Sequence, residues 1–148
     1  MNETTISRIM SAEHVAINSL IDELWLNLED HKSQAIFGKL RWVLEKHFYL
    51  EEKAIFDLYT PKTDKDLLEV AELVKQHEEL RILFNNIGQA IEQGIKPDLR
   101  TLQELERNHA KFEDEVFYPK LDKELDEEQK AKIIDKSREI MNSYYKAF

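Results

Sequence analysis

The sequence predicts an all-α protein: an antiparallel up-down-up-down four-helix bundle with an additional C-terminal helix. Apolar residues recur at steps of three and four through most of the chain, as on the inward face of a helix. Only 3 Gly and 3 Pro interrupt the 148 residues, and four of these six lie where the apolar periodicity weakens or stops. The polar connections are short, so successive helices are expected to pack antiparallel.

The first helix is predicted from about Thr5 to Leu28, and the second from Ser33 to about Tyr59. A polar stretch separates them, in which Ser33 or Asp30 is expected to cap the second helix. The inward stripe of the first helix contains Met10, His14, Ile17, Ile21, Leu24 and Leu28. That of the second contains Ile36 or Phe37, Leu40, Val43, Leu44, His47, Glu51, Ala54, Ile55 and Leu58.

The third helix is predicted from Thr63 to about Gln93, with Thr63 and Asp66 spaced as in a capping arrangement. A fourth helix follows Asp98, which is expected to be its N-cap, and Pro119 is expected to kink or end it. The third stripe contains Leu67, Val70, Leu73, Val74, His77, Leu80, Phe84, Ile87 and Ile91. The fourth contains Leu102, Leu105, His109, Phe112, Glu113, Val116 and Phe117.

A final helix is predicted over about 126–145, where Asp126 and Gln129 are spaced as in a capping box. Its apolar face carries Ile133, Ile134, Ile140 and Tyr144 and no metal-ligand residue, so it is expected to cover the bundle. We therefore expect one domain over residues 1–148, with the bundle at about 5–121. A chain of this length buries roughly 70% of its unfolded surface, enough for a core without disulfides.

Composition excludes several classes of site. The chain has no Cys, which rules out disulfides, thiolate metal sites and cysteine nucleophiles and fits a reducing compartment. Its first residues are polar and no stretch of 18 residues lacks charge, so we expect a cytoplasmic protein without membrane association. The net charge is -9 and the basic residues are dispersed, which argues against binding of nucleic acid. No protein partner is indicated.

The two halves of the chain repeat one arrangement of polar residues. Each half contains a lone histidine followed by a His-x-x-x-Glu pair, and the corresponding histidines are 63 or 62 residues apart. One helical turn places the histidine and glutamate of each pair on one face, and antiparallel packing brings mid-helix residues to a similar depth. The candidate metal ligands are His14, His47, Glu51, His77, His109 and Glu113.

A metal explains this set of residues better than core packing does. A single buried histidine is more often a hydrogen-bonded core residue. Two carboxylates buried without partners would cost several kcal/mol each, and metal coordination is one of the few compensations for that cost. Four imidazoles and two carboxylates exceed the need of one tetrahedral zinc, whereas two metals bridged by both carboxylates would retain open positions. Nitrogen and oxygen ligands favour iron before manganese or zinc.

Glu106 lies three residues before His109, the spacing of the Glu-x-x-His motif in ferritin-like di-iron bundles. Leu44 occupies the matching position in the first half of the chain. We therefore expect Glu106 to lie beside the site rather than to be one of its principal ligands.

Other polar and aromatic residues are assigned no ligand role. Glu52 and Asp114 each follow a predicted ligand and are rotated by about 100° from it, so they are expected to face neighbouring helices or solvent. His31 lies in the polar break and is expected at the surface. Aromatic residues that could tune access to the site, but whose default role is core packing, are Trp25, Trp42, Tyr49 and Tyr118.

The pattern resembles the hemerythrin-like, or HHE cation-binding, family. The resemblance covers about Met10 to Leu121 and is carried by His14, His47 with Glu51, His77, and His109 with Glu113 followed by Val-Phe-Tyr-Pro119. It implies an antiparallel four-helix bundle around a carboxylate-bridged non-haem di-iron centre. Proteins of this kind bind dioxygen or nitric oxide, carry or sense it, or donate iron for the repair of damaged iron centres.

The sequence departs from the oxygen carriers of that family, which have a fifth histidine one turn from the third-helix ligand. Here Leu73 and Arg81 occupy those positions. More of the coordination sphere is then left to water, an oxo or hydroxo bridge, or an added ligand such as nitric oxide. This departure favours a sensor-like or iron-repair protein over a stable oxygen carrier. The iron-repair members carry an additional N-terminal domain with cysteine, for which this chain has no counterpart.

Three functions share the predicted ligands. The leading hypothesis is a di-iron protein that binds or senses dioxygen or nitric oxide. The alternatives are a di-iron redox enzyme that removes peroxide or nitric oxide, and an iron-handling or repair module. The sequence does not choose among them, because they differ in access route, surrounding residues and partner.

Overall fold

The computed structural model describes residues 5–146, with side chains described through residue 143. Six α-helices lie in this range: α1 (Ile6–Leu26), α2 (Ser33–Leu50), α3 (Asp64–Glu92), α4 (Leu99–Phe112), α5 (Tyr118–Glu124) and α6 (Glu127–Lys146). Two π-helical segments, π1 (Glu51–Phe56) and π2 (Glu113–Phe117), continue α2 and α4 without a break. No strand occurs in this part of the chain, so the all-α class is confirmed.

The four longest predicted helices form a closed ring of neighbours. Helix α1 packs against α2 and α4, and α3 packs against the same two helices, while α6 lies against π1, α2 and α1. This order of neighbours is compatible with a four-helix bundle covered by an additional helix. Among the described residues, no helix has the length and apolar character needed to cross a membrane.

Three of the predicted helix starts are confirmed. The hydroxyl of Thr63 accepts a hydrogen bond from the backbone N–H three residues later (3.1 Å). The carboxylate of Asp98 accepts one from the N–H two residues later (3.0 Å). Asp126 and Gln129 form the reciprocal bonds of a capping box, at 3.0 and 2.8 Å. Each side chain satisfies a backbone donor that the first turn of a helix leaves free.

The predicted cap of α2 is wrong. Ser33 is already the first helical residue, and no side chain caps the helix. Asp30 instead accepts the N–H of Lys32 (3.1 Å) within the preceding turn. Pro119 does not end the fourth helix: it lies in the first turn of α5, where a missing N–H is tolerated, and the chain stays helical to Glu124.

The buried apolar residues form two clusters, one on either side of the predicted ligands along the helices. The first contains Ile17, Leu20, Ile21, Leu24, Ile36, Phe37, Leu40, Val43, Leu44, Phe48, Leu80, Phe84, Ile87, Leu99 and Leu102. The second contains Ile6, Met10, Leu50, Ala54, Ile55, Tyr59, Leu73, Phe117, Tyr118, Leu121, Leu125, Ile133 and Ile140. Along α1, for example, His14 follows Met10 of the second cluster and precedes Ile17 of the first.

Several predicted inward residues are exposed instead. Leu58 follows π1 and Val116 lies within π2. The wider i→i+5 turns of these segments rotate the residues along the helix, so Tyr59 and Tyr118 are buried in their place. On α3 the buried stripe is narrower than predicted and leaves Leu67 outside. Other exposed residues for which burial was predicted are Val74, Trp25 and Tyr49. The side chain of Tyr144 lies outside the described residues.

Candidate metal centre

The six predicted ligands meet between the two apolar clusters. His14 and His77 lie on α1 and α3, and His47 and His109 lie near the ends of α2 and α4. Each π-helical segment begins with a predicted carboxylate ligand, so a histidine and a glutamate remain one turn apart. All six residues are at most 2% exposed: His14, His47, Glu51, His77, His109 and Glu113.

Each glutamate contacts histidines from two helices. Glu51 Oε1 lies 3.0 Å from His47 Nε2 and 3.1 Å from His77 Nε2. Glu113 Oε1 lies 3.1 Å from His109 Nε2 and 3.0 Å from His14 Nε2. The two halves of the chain therefore make matching contacts, as the sequence repeat predicts.

The four imidazoles are arranged as two pairs across neighbouring helices. The ring centroids of His14 and His47 are 4.8 Å apart, and those of His77 and His109 are 5.0 Å apart. Each glutamate contacts one histidine of each pair, through the distances given above. A carboxylate placed in this way lies between the two imidazole pairs rather than within one of them.

Several donor atoms in the centre have no hydrogen-bond partner among the described residues. These are the Nε2 atoms of His47 and His109 and one carboxylate oxygen of Glu113. The two Nε2 atoms lie at ion-pair distance from Glu51 and Glu113 but without hydrogen-bond geometry. One ligand atom from each of these three residues and from Glu51 lies within 4.8 Å of the other three. Buried polar atoms without partners are costly, and a cation among them would satisfy nitrogen and oxygen lone pairs together. The donor set therefore fits a metal site.

The charges at the centre favour a positive occupant. Burial disfavours a charged ring, but hydrogen bonds to Asp114 and Glu113 raise the pKa of His14 to about 9. For His109, burial lowers the pKa, but attraction and hydrogen bonding by Glu113 and Glu51 together raise it to about 10. Burial alone would raise the pKa of Glu51, but attraction by His47 and hydrogen bonds including those from His47 and His109 together hold it well below its usual range. In the metal-free protein, protons on the imidazoles thus compensate the buried carboxylates.

The acidic residues after Glu51 and Glu113 hold two of the imidazoles in place. Glu52 Oε1 lies 3.0 Å from His77 Nδ1, and Asp114 Oδ1 lies 2.9 Å from His14 Nδ1. An acceptor on Nδ1 fixes the proton there and leaves Nε2 free to bind a metal. Both acids do face neighbouring helices, but their contact with the histidines was not foreseen. The acidic pair repeated in both halves was the available signal.

The surroundings of these acids continue the network outward. Ser11 donates a hydrogen bond to Asp114 (2.9 Å), and Arg81 donates to Glu52 (3.3 Å). The central guanidinium carbon of Arg81 also lies 5.2 Å from the centroid of the Phe48 ring, and Phe48 stacks on His77 with ring centroids 4.3 Å apart. Arg81, at a position where a further histidine was sought, thus supports an existing one.

The other two histidines differ in their second contact. Gln76 Oε1 lies 2.7 Å from His109 Nδ1 and can accept its proton in a hydrogen bond. His47 Nδ1 has no hydrogen-bond partner among the described residues. His31, expected at the surface, is 89% exposed in its side chain and lies beside Asp30. It takes no part in the centre.

Two further buried residues approach the centre. The hydroxyl of Tyr118 donates a hydrogen bond to Glu51 Oε2, and burial raises the pKa of this phenol well above its usual value. Glu106 is fully buried, and neither of its carboxylate oxygens has a hydrogen-bond partner among the described residues. Burial raises the pKa of Glu106 as well. The sequence offered the Glu-x-x-His spacing as a signal for Glu106 and no specific signal for Tyr118.

Comparison with known proteins identifies one family. The family model described as the hemerythrin HHE cation binding domain matches residues 5–121. This range contains the six predicted ligands and both π-helical segments. Neither the search of curated proteins nor that of solved structures returned a match.

Proposed function

The chain belongs to the family of hemerythrin HHE cation-binding domains, and on that premise we propose that its buried centre holds two non-haem iron ions. In this proposal the protein binds or senses a diatomic ligand, dioxygen or nitric oxide, at the di-iron centre. Family membership also supports the antiparallel up-down-up-down order of the four main helices. The absence of cysteine is compatible with the expected cytoplasmic location.

The observation that carries the proposal is the position of the two glutamates between two imidazole pairs. The pairs, His14 with His47 and His77 with His109, have ring centroids 4.8 and 5.0 Å apart. In this proposal each pair would supply two nitrogens to one ion, and Glu51 and Glu113 would supply oxygen donors to both ions. A single ion would leave part of this buried donor set without a partner, at a cost of several kcal/mol.

The donor chemistry supports iron. Imidazole and carboxylate suit iron, and the six protein donors leave coordination positions open on two ions. Ferrous ions held there supply the electrons and the open positions that a diatomic ligand requires. The chain itself contributes a buried site and orients the imidazoles: Asp114 and Glu52 accept the Nδ1 protons of His14 and His77 and keep each Nε2 lone pair directed inward.

Iron content tests the proposal. The protein reconstituted with ferrous iron without oxygen is expected to retain about two ions per chain after desalting, following the two imidazole pairs. Its optical spectrum is expected to change on addition of dioxygen or nitric oxide. Glu113→Gln is expected to reduce the iron content, whereas the exposed Glu115→Gln serves as the matched control. Wild-type protein that retains no iron would exclude the proposed centre.

A redox enzyme is the second candidate, and Tyr118 is the observation that favours it. Its buried phenol donates a hydrogen bond to Glu51, one of the two carboxylates of the proposed centre. A phenol in this position can give a proton to a bound peroxide or nitric oxide. We expect Tyr118→Phe to lower the rate of peroxide or nitric oxide consumption without loss of iron. Binding of these ligands by wild type without any consumption would exclude this candidate.

A further inference from the structure

Glu106 is a buried carboxyl group without a partner at the edge of the metal centre. Its side chain has no exposed surface, and both oxygens lack a hydrogen-bond partner within the described residues. It lies on α4, one turn before His109, and the i, i+3 spacing places both on one helix face.

The repeat shows that packing does not require an acid here. Leu44 lies 62 residues before Glu106, the same spacing that separates His47 from His109. Leu44 belongs to the apolar cluster next to the centre, and leucine fills that position in the first half of the chain. A carboxyl group buried at the matching position without a hydrogen bond loses its hydration without compensation, which destabilises the fold. The helix therefore carries an acid where an apolar residue would give a more stable core.

The two residues one helical turn from His77 on α3 are Leu73 and Arg81. Leu73 is fully buried with no ligand atom, and Arg81 is engaged with Glu52 and the Phe48 ring. Neither residue provides a metal ligand one helical turn from His77. A glutamate three residues before a metal-binding histidine on the same helix can bind the same ion, because both side chains project inward.

We propose that Glu106 is an additional carboxylate ligand of the centre, on the side facing the apolar cluster that contains Leu44. This inference rests on the proposed function, since it requires that metal binds between the imidazole pairs. Its carboxylate would add an oxygen donor to the four imidazoles and two carboxylates of the repeat. The two halves of the repeat are then unequal, with a third carboxylate supplied by the second half alone.

The test compares Glu106→Gln and Glu106→Leu with the exposed Glu104→Gln on the same helix. Metal content, affinity for ferrous iron by chelator competition, and the visible spectrum of the cobalt(II)-loaded protein are measured. Melting of the metal-free proteins is measured in parallel. For both Glu106 variants we expect at least about tenfold weaker binding of one ion and a changed cobalt spectrum. Metal-free Glu106→Leu is expected to melt above wild type, because leucine fits the position.

The outcomes separate this inference from the proposed function. If wild type binds no metal, the proposed function itself fails. If wild type binds two ions and both Glu106 variants bind them with unchanged affinity and spectrum, Glu106 is no ligand. If Glu106→Gln matches wild type and only Glu106→Leu is weaker, direct ligation by the carboxylate is also excluded. A Glu104→Gln protein that behaves as wild type shows that loss of charge on α4 is not the cause.

Discussion

At the scale of single residues, the centre consists of matched triads rather than isolated ligands. His14 contacts Glu113 through Nε2 and Asp114 through Nδ1, so one imidazole connects two successive acids. His77 makes the same two contacts with Glu51 and Glu52. The first acid of each pair lies between the two imidazole pairs, and the second orients the ring. The repeat of this arrangement in both halves indicates that orientation of the imidazoles is part of the site.

We expect Asp114→Ala to weaken ferrous iron binding by about 10–100-fold, because the ring of His14 loses the acceptor that fixes its tautomer. Glu52→Ala is expected to act similarly through His77, with a smaller structural change because Arg81 remains nearby. Competition with a chromophoric chelator measures the affinity. Glu115→Ala, an exposed acid one residue beyond Asp114, is the matched control. Equal affinities for Asp114→Ala and Glu115→Ala would contradict this role.

The residue repeat made the six inward side chains predictable, but not the acids behind them. His14, His47, His77 and His109 could be placed inward because each stands within an apolar stripe of period three to four. The contacts of Glu52 and Asp114 depend on the distance between neighbouring helices and on the turn geometry after Glu51 and Glu113. Neither quantity is fixed by the periodicity of one helix. The ligand role of the six residues stays a prediction until metal is measured.

At the scale of elements, the two π-helical segments are the main departure from the regular helices expected. Each starts at the glutamate of a His-x-x-x-Glu pair, so the wider turn coincides with the centre in both halves. Such turns are frequent at functional sites. They also change which residues are buried: Tyr118, directly after π2, donates a hydrogen bond to Glu51, while Val116 within π2 is exposed. Sequence periodicity assumes a constant turn, and for this reason it misplaced Leu58 and Val116.

Helix α6 supplies packing and no described ligand, and substitution at Ile133 tests this separation. Ile133 is buried in the apolar cluster beside π1. We expect Ile133→Ala to lower the free energy of unfolding by about 2–5 kcal/mol, through lost burial and the cavity left behind. Iron content at saturating metal is expected to stay at the wild-type value. Denaturant unfolding and metal analysis give the two readouts.

The matched control for Ile133→Ala is Lys132→Ala, a neighbouring exposed position on the same helix. We expect little change in its unfolding free energy, because exposed substitutions have small effects. Loss of iron from a folded Ile133→Ala protein would contradict the assignment of α6 to packing alone. It would indicate that the contact of α6 with π1 sets the position of Glu51.

At the scale of the whole molecule, stability and metal binding are coupled through the same buried charges. The centre lies between the two apolar clusters, so the polar groups cannot be solvated without opening the bundle. In the metal-free protein, protons on the imidazoles balance the negative charges of Glu51 and Glu113. In the metal-loaded protein, the positive charge of the ions would balance them instead. Any ion bound only by the folded state raises stability in proportion to RT ln(1 + [L]/Kd).

This coupling predicts opposite responses of the two forms to pH. The pKa of His14 is raised to about 9 and that of His109 to about 10, from 6.5 in the unfolded chain. Their contribution to metal-free stability is therefore complete below pH 6.5 and is lost as the pH rises through 9 and 10. The lowered pKa of Glu51 acts in the other direction, with stability lost as the pH falls below about 4.5.

We expect the metal-free protein to melt at the highest temperature between about pH 4.5 and 6.5 and to lose stability steadily up to pH 10. Metal binding requires neutral imidazoles, so the gain in melting temperature on adding zinc as a redox-inert probe is expected to widen from pH 6 to pH 8. His14→Asn should flatten the metal-free profile, whereas the exposed His31→Asn should leave it unchanged. A metal-free melting temperature that stays constant between pH 6.5 and 10 would contradict this prediction. It would show that the imidazoles carry no extra protons in the folded protein, and the balance of charges described for the centre would then be wrong.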